Sequence, residues 1–368
     1  MLRRVEESVP AVETREAVNI EIASIATSLP PHRYTQQEAL FLARRKFPGF
    51  GHLESVFENT GIKHRYSCVP LDWYAEPHDW VDRNAVYESA ALDLLEQAAR
   101  EAIANAKAKP QDIGAIVTVS TTGLSVPSLD AKLMHRLNLA PTTERLPIFG
   151  LGCAGGVSGM ARAARLAATL DGQSVLVLCV ELCGLNLRTS KDNKVNFVSS
   201  ALFGDGAAAL LLRDAGATGS TASGIGRIKA VGEHNWPDTL DVMGWSIERD
   251  GFGVVMSTRI PQFAREELRD AADTFLASHG LDFSDIDGLI SHPGGRKVLE
   301  AIADALETNE QELAHAWDVL RDYGNMSSPT VLFVLERMAS AGHKGLHLMI
   351  AFGPGFTVSF ALVDLSRT

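Results

Sequence analysis

The chain has 368 residues, 46% of them hydrophobic, enough to bury one large core or two domain-sized ones without disulfide staples. Lys plus Arg total 34 against 45 Asp plus Glu, and the net charge of −11 excludes the broad basic surface that nucleic acid or an anionic membrane requires. An anionic substrate must therefore meet a local group of cations. The basic start, Met1-Leu2-Arg3-Arg4, runs straight into Val5-Glu6-Glu7 without the apolar stretch of a secretory signal, so a cytoplasmic location is expected. No apolar run approaches the length of a bilayer span. Four cysteines, at 68, 153, 179 and 183, make no disulfide framework, and the Cys179/Cys183 pair lacks the further ligands zinc needs, so no metal is expected.

Residues 1–18 are charged and aperiodic and are read as an N-terminal arm. Residues 19–27 form the first predicted strand, and 83–105 carry Leu92, Leu95, Ala98 and Ala102 at helical spacing until Lys109-Pro110 ends the run. A β-branched strand at 113–119 opens into the polar turn Ser120-Thr121-Thr122-Gly123, and 129–137 is helical again. A short strand at 146–149, a glycine turn, a helix at 157–170 and a strand at 175–181 follow. The Gly204-Asp205-Gly206 turn then leads into an apolar strand ending at Leu212, so the alternation predicts an α/β fold. Further on, strands at 225–232 and 286–290 alternate with helices at 264–279, 296–306 and 329–341. Strands at 346–352 and 356–363 close the chain around Gly353-Pro354-Gly355. Both halves end on a glycine hinge into apolar strand, which predicts an internal duplication, 19–222 and 223–368, with the active site between the copies.

Gly150-Leu151-Gly152-Cys153-Ala154-Gly155-Gly156 lies between a strand and a helix. A cysteine on such an elbow faces backbone N–H groups and the positive helix end, which is expected to lower its thiol pKa and favour the nucleophilic thiolate. The alternative is a buried cysteine in a tight turn. A nucleophilic cysteine needs a partner for its proton, and His292 is presented at a strand end on the Pro293-Gly294-Gly295 turn. Asn325, ahead of Met326-Ser327-Ser328-Pro329, either caps a helix or donates an amide N–H to a developing oxyanion.

Together the Cys153 elbow, the His292-Pro293-Gly294-Gly295 turn, Gly324-Asn325-Met326-Ser327-Ser328 and Phe352-Gly353-Pro354-Gly355-Phe356 resemble the motif set of the type III polyketide synthases, the chalcone synthase family. Leu202-Phe203-Gly204-Asp205-Gly206 and Ser120-Thr121-Thr122-Gly123 extend the resemblance over residues 20–365. It implies an α/β thiolase fold, layered αβαβα with internally duplicated halves, in a homodimer with a complete site in each subunit. It further implies that Cys153 takes the starter acyl group from an acyl-CoA, that His292 stabilises the thiolate, and that His292 with Asn325 holds the malonyl-CoA carbonyl oxygen while carbon dioxide leaves. The substrates are then malonyl-CoA and an acyl-CoA starter, with no cofactor and no acyl carrier protein.

The resemblance places Thr121, Thr122, Cys183, Gly184, Asn186, Phe203, Ser327 and the Gly353-Pro354-Gly355-Phe356 run around the substrate. Phe203 matches one of two gatekeeper phenylalanines of plant members. Val254 stands where the second would be, and this with Gly184 and Asn186 implies room for a different starter, such as a fatty acyl chain cyclised to a pyrone or resorcinol. Val126 matches the position that reaches across the plant dimer. For the coenzyme A phosphates the candidates are Lys63 and Arg65, then Gly294, Gly295 and Arg296 at the helix start. Two rivals stay open: a ketoacyl synthase of the initiating type, which shares the cysteine, histidine and asparagine, and a non-catalytic acyl-thioester binder.

Overall fold

The computed structural model describes residues 18–188, 193–216 and 224–366. The arm expected at 1–18 lies, but for Val18, outside the described residues, as does the expected junction at 222/223.

The first half contains strands β1 (Ile20–Ser28), β2 (His32–Thr35), β3 (His64–Ser67), β4 (Ile113–Val119), β5 (Glu144–Ile148), β6 (Ser174–Leu182) and β7 (Asp205–Asp214). Its helices are α1 (Gln36–Lys46), α2 (Ser55–Asn59), α3 (Trp80–Asn105), α4 (Leu129–Arg136), α5 (Gly155–Ala167) and α6 (Lys194–Leu202). The second half adds β8 (Gly226–Asn235), β9 (Met243–Glu248), β10 (Gly251–Met256), β11 (Gly288–Ser291), β12 (Leu346–Gly353) and β13 (Thr357–Asp364). With them come α7 (Ile260–Ala277), α8 (Arg296–Leu306), α9 (Ala314–Tyr323) and α10 (Thr330–Ser340).

Strands β4 and β6 are buried along their whole length, which their unbroken apolar sequence requires. In β1-β7-β6-β4 two antiparallel pairings are followed by a parallel one, and β8-β13-β12-β11 repeats that order and those senses. The two sets meet where Ile20 to Ile22 of β1 pair with Ile228 to Gly226 of β8. One face of each set packs on a shared middle layer of α5 and α10, through Val117, Val177, Ala351 and Ala361 among others. The opposite faces are covered by α3 and α4 in the first half and by α7 and α8 in the second. This is the five-layer αβαβα arrangement, with the middle helices bringing both halves to one place.

Close packing in that middle layer explains the small residues at the start of α5. A Cβ at Gly156 would run into the Ser328 carbonyl oxygen, which is backbone and cannot swing aside. Gly156→Ala is therefore expected to cost about 1–3 kcal/mol by overpacking, visible as a lower melting temperature.

Candidate active site

Strand β5 leads through Gly150 into the one-turn segment Gly152–Ala154, directly ahead of α5, and Cys153 sits at its centre. The turn needs glycine at 152. Its φ is +48°, and a Cβ there would lie 2.8 Å from the Pro354 ring. The Gly152 N–H donates to Thr121 Oγ1 at 3.2 Å, so the polar turn after β4 pins the elbow.

His292 follows the end of β11, its N–H bonded to Ile350 O at 2.8 Å and its side chain 3% exposed. Neither ring nitrogen has a partner among the described residues, an unusual state for a buried imidazole. Asn325 lies in the link between α9 and α10. Its Nδ2 donates to Gly294 O at 3.0 Å and its Oδ1 accepts from the Ser327 N–H at 2.7 Å, which fixes the amide's orientation. One Nδ2 hydrogen is thus held on the His292 turn and the second is left over. The Cys153 thiol donates to Asn325 Oδ1 at 3.9 Å. Backbone bonds from Asn325 N to Leu202 O (3.0 Å) and from Gly204 N to Asn325 O (2.9 Å) clasp Phe203 between them, so the gatekeeper position and the asparagine share one support.

Burial governs the electrostatics. It pushes the Cys153 thiol up to about 11, against the lowering expected from the elbow, because its hydrogen bonds with Ser327 and Asn325 do not offset the loss of water. It pushes His292 down to about 3 for the same reason. Burial thus disfavours either charge alone.

Behind the cysteine stands Glu181, fully buried on β6 and not anticipated from the sequence. It accepts from Thr121 N (2.9 Å), Thr122 Oγ1 (2.8 Å) and Ser328 Oγ (3.0 Å), yet burial still raises it to about 7. An isolated glutamate inside an apolar strand carries no motif that would have flagged it.

Cys153, His292 and Asn325 line a single cavity. Thr121, Thr122, Cys183, Gly184 and Asn186 line it as anticipated, as do Phe203, Val254, Gly294, Ser327 and Pro354. Asn186 is held in place by donating to Thr122 O at 2.8 Å.

Several expectations need correcting. Arg65 is not a cation at the mouth: it is 1% exposed, its Nη1 donates to Ser200 O (2.7 Å) and Phe203 O (2.9 Å), and its guanidinium lies over Tyr34. It is a strut beneath the Phe203 wall. Lys63, just ahead of β3, is exposed. Arg296 is exposed but engages Glu300 at 2.8 Å, and Gly295 is the N-cap of α8. Phe356 faces away from the cavity, in the outer core of the second half, stacked on Phe352. Gly353 packs against Leu151 and Ala154 of the elbow, and Gly355 bonds to Met243 O at 3.3 Å, so only Pro354 of that run reaches the cavity wall. Val126 is 96% exposed in a loop, near the exposed Leu124.

The cross-strand partner of Val254 on β9 is Trp245, which lines the same cavity with its indole N–H held by Thr121 O at 3.0 Å. The cavity also reaches α1, past Ser199 and Leu187 to Ala39, Ala43 and Phe47. Among the described residues no group of three or more His, Cys, Asp or Glu side chains could hold a metal, and no helix is long and apolar enough to cross a membrane.

A cysteine elbow, a strand-end histidine and an oriented asparagine, brought by two similar halves to the floor of a deep cavity, define a condensing enzyme of the thiolase fold. Residues 73–216 match the family model of the chalcone and stilbene synthases, N-terminal domain, and residues 228–365 match the C-terminal domain, so the chain belongs to that family. It is 37% identical over 360 residues to a putative chalcone synthase of Bacillus subtilis, covering 94% of this chain and 99% of that one. It is 38% identical over 351 residues to the 1,3,6,8-tetrahydroxynaphthalene synthase of Streptomyces peucetius, covering 93% and 92%. The crystal structure of 1,3,6,8-tetrahydroxynaphthalene synthase from Streptomyces coelicolor, a bacterial type III polyketide synthase, superposes with a TM-score of 0.89 at 30% identity, covering 95% of this chain and all of that one. The chain is accordingly a type III polyketide synthase, an acyltransferase that condenses malonyl-CoA units iteratively.

Proposed function

We propose that Cys153 accepts a starter acyl group from an acyl-CoA, and that a fatty acyl chain is the starter class. The observation that carries this reading is the convergence of Cys153, His292 and Asn325 on a cavity whose long arm toward α1 is walled by Ala39, Ala43, Phe47 and Leu187. In the mechanism His292 takes the Cys153 proton as the sulfur attacks the thioester and coenzyme A leaves as its thiol. Malonyl-CoA then enters with its thioester oxygen between His292 and the spare Asn325 N–H. Loss of carbon dioxide leaves an enolate held by those donors, and the enolate carbon attacks the Cys153 thioester. Decarboxylation supplies the nucleophile, so no carboxylate base is required at the centre. The extended chain returns to coenzyme A for another round and finally cyclises to a pyrone or resorcinol. The enzyme works in the cytoplasm, without cofactor or carrier protein, as a homodimer whose contact includes Val126. Lys63 serves the coenzyme A phosphates.

The test is mass spectrometry of products from purified protein given malonyl-CoA and acyl-CoA starters of graded length, with no carrier protein. Alkyl pyrones or resorcinols support the reading, and products formed only with a carrier protein overturn it. A second reading, naphthalene formation, is favoured by the relatives named for it, and tetrahydroxynaphthalene as the main product would select it. Val254→Phe is expected to shorten the products while leaving decarboxylation intact, since it fills the wall beside Trp245 and not the catalytic floor. Unchanged product length in that variant would remove Val254 from the determinants of chain length.

A further inference from the structure

Strands β9 and β10 stand apart from the main sheet as a two-stranded hairpin, yet its cross-strand pair Trp245 and Val254 forms part of the cavity wall. A lone two-stranded hairpin is marginal in itself, so its place must be fixed by side chains. Arg188 supplies such a fixture. It directly follows Asn186 and Leu187, which line another stretch of the wall, and lies behind that wall itself. Its side chain is 3% exposed. Its Nη1 donates to Glu248 Oε2 at 2.8 Å and to Asp250 Oδ1 at 2.9 Å, and its Nη2 donates to Glu248 Oε1 at 3.3 Å. Glu248 ends β9 and Asp250 directly precedes β10, so one guanidinium holds both sides of the hairpin turn. Arg83 of α3 donates to the Asp250 carbonyl oxygen as well. A Cβ at Gly253 would lie 2.8 Å from Arg188 Nη2, so the guanidinium is pressed against the Gly253/Ser246 pair that adjoins Val254 and Trp245. Without Arg188 the two carboxylates lose their shared cation and remain side by side as like charges, which favours an opened turn.

We propose that Arg188 is a positioning residue for product length. It ties the Trp245/Val254 hairpin to the Asn186-Leu187 segment, and the spacing it sets limits how many malonyl units are added before the chain leaves. The inference rests on the reading of this cavity as the chamber in which the chain grows, and adds to it a determinant that stands outside the cavity wall. The hydrogen bonds that orient the Cys153 elbow and Asn325 do not involve Arg188. Starter loading and decarboxylation are therefore separable from length control.

The experiment compares the wild type with Arg188→Met, Arg188→Lys and Glu248→Gln, each checked by melting temperature. Three quantities are measured: product masses from malonyl-CoA with one acyl-CoA starter, acylation of Cys153 by starter alone, and carbon dioxide release from malonyl-CoA alone. In Arg188→Met the share of products carrying a further malonyl unit is expected to rise at least threefold, with acylation and decarboxylation within twofold of the wild type. Arg188→Lys keeps the charge but lacks the planar fork that meets two carboxylates, and its products should fall between those of Arg188→Met and the wild type. Glu248→Gln changes a partly exposed side chain and should shift the products the same way by a smaller amount, which decides the matter if Arg188→Met does not fold. An unchanged product distribution in every folded variant would overturn the proposal. So would acylation, decarboxylation and extension falling together, the mark of a merely structural role. A wild type that forms no polyketide from any starter would instead remove the reading of the cavity beneath it.

Discussion

In Cys153→Ala, polyketide formation is expected to fall by about 10⁴-fold or more, while decarboxylation of malonyl-CoA without coupling remains measurable. The two half-reactions use different groups. In the proposed mechanism acyl transfer needs the sulfur at the centre of the Gly152–Ala154 turn, whereas the enolate is held by His292 and the spare Asn325 N–H. Alanine keeps the backbone of the elbow, and the Gly152 bond to Thr121 does not involve the sulfur. Released carbon dioxide and acetyl-CoA, assayed beside product mass spectrometry, separate the steps. Loss of both together would mean that the sulfur also takes part in decarboxylation.

His292→Ala is expected to remove both half-reactions. Losing one donor to the enolate oxygen should cost about 10²–10³ in decarboxylation, or roughly 3–4 kcal/mol. In the proposed mechanism the imidazole also accepts the thiol proton. Without it Cys153 is a lone thiol raised by its surroundings, little ionised at pH 7. Alkylation of Cys153 by iodoacetamide should therefore slow in the variant and rise about tenfold per pH unit between pH 7 and 9. The sign follows from the charge: a thiol raised by burial gains its reactive form only as pH climbs. The wild type, able to pass the proton to His292, should alkylate faster at pH 7 with a flatter profile. Coincident profiles would show that His292 does not share the proton.

Much of this site was legible in the sequence because its parts lie on punctuated turns. Gly152-Cys153, His292-Pro293-Gly294-Gly295 and Gly324-Asn325 each stand where a strand or helix ends, and the structure gathers all three at one cavity. The buried strands were equally plain: 113–119 coincides with β4, and the unbroken apolar run at 175–181 falls inside β6. What escaped was whatever depends on partners distant in sequence. Trp245 lies in a short strand whose lining role exists only because β9 pairs with β10, which sets it beside Val254. Arg65 sits in a basic segment that reads as a surface patch. It is buried because carbonyls of α6 and Phe203, more than 130 residues away, supply acceptors that solvent would otherwise provide. An elbow's dipoles can be read from sequence, whereas the enclosure that raises the Cys153 thiol cannot.

The most direct measurement is peptide mass spectrometry on enzyme quenched during turnover with a fatty acyl-CoA and malonyl-CoA. The expected result is an acyl adduct on Cys153 alone, appearing with starter, lengthening in ketide increments once malonyl-CoA is present, and absent from Cys68, Cys179 and Cys183. Products formed while Cys153 stays unmodified, or an adduct carried by another residue, would contradict the assignment of Cys153 as the residue on which the chain is built.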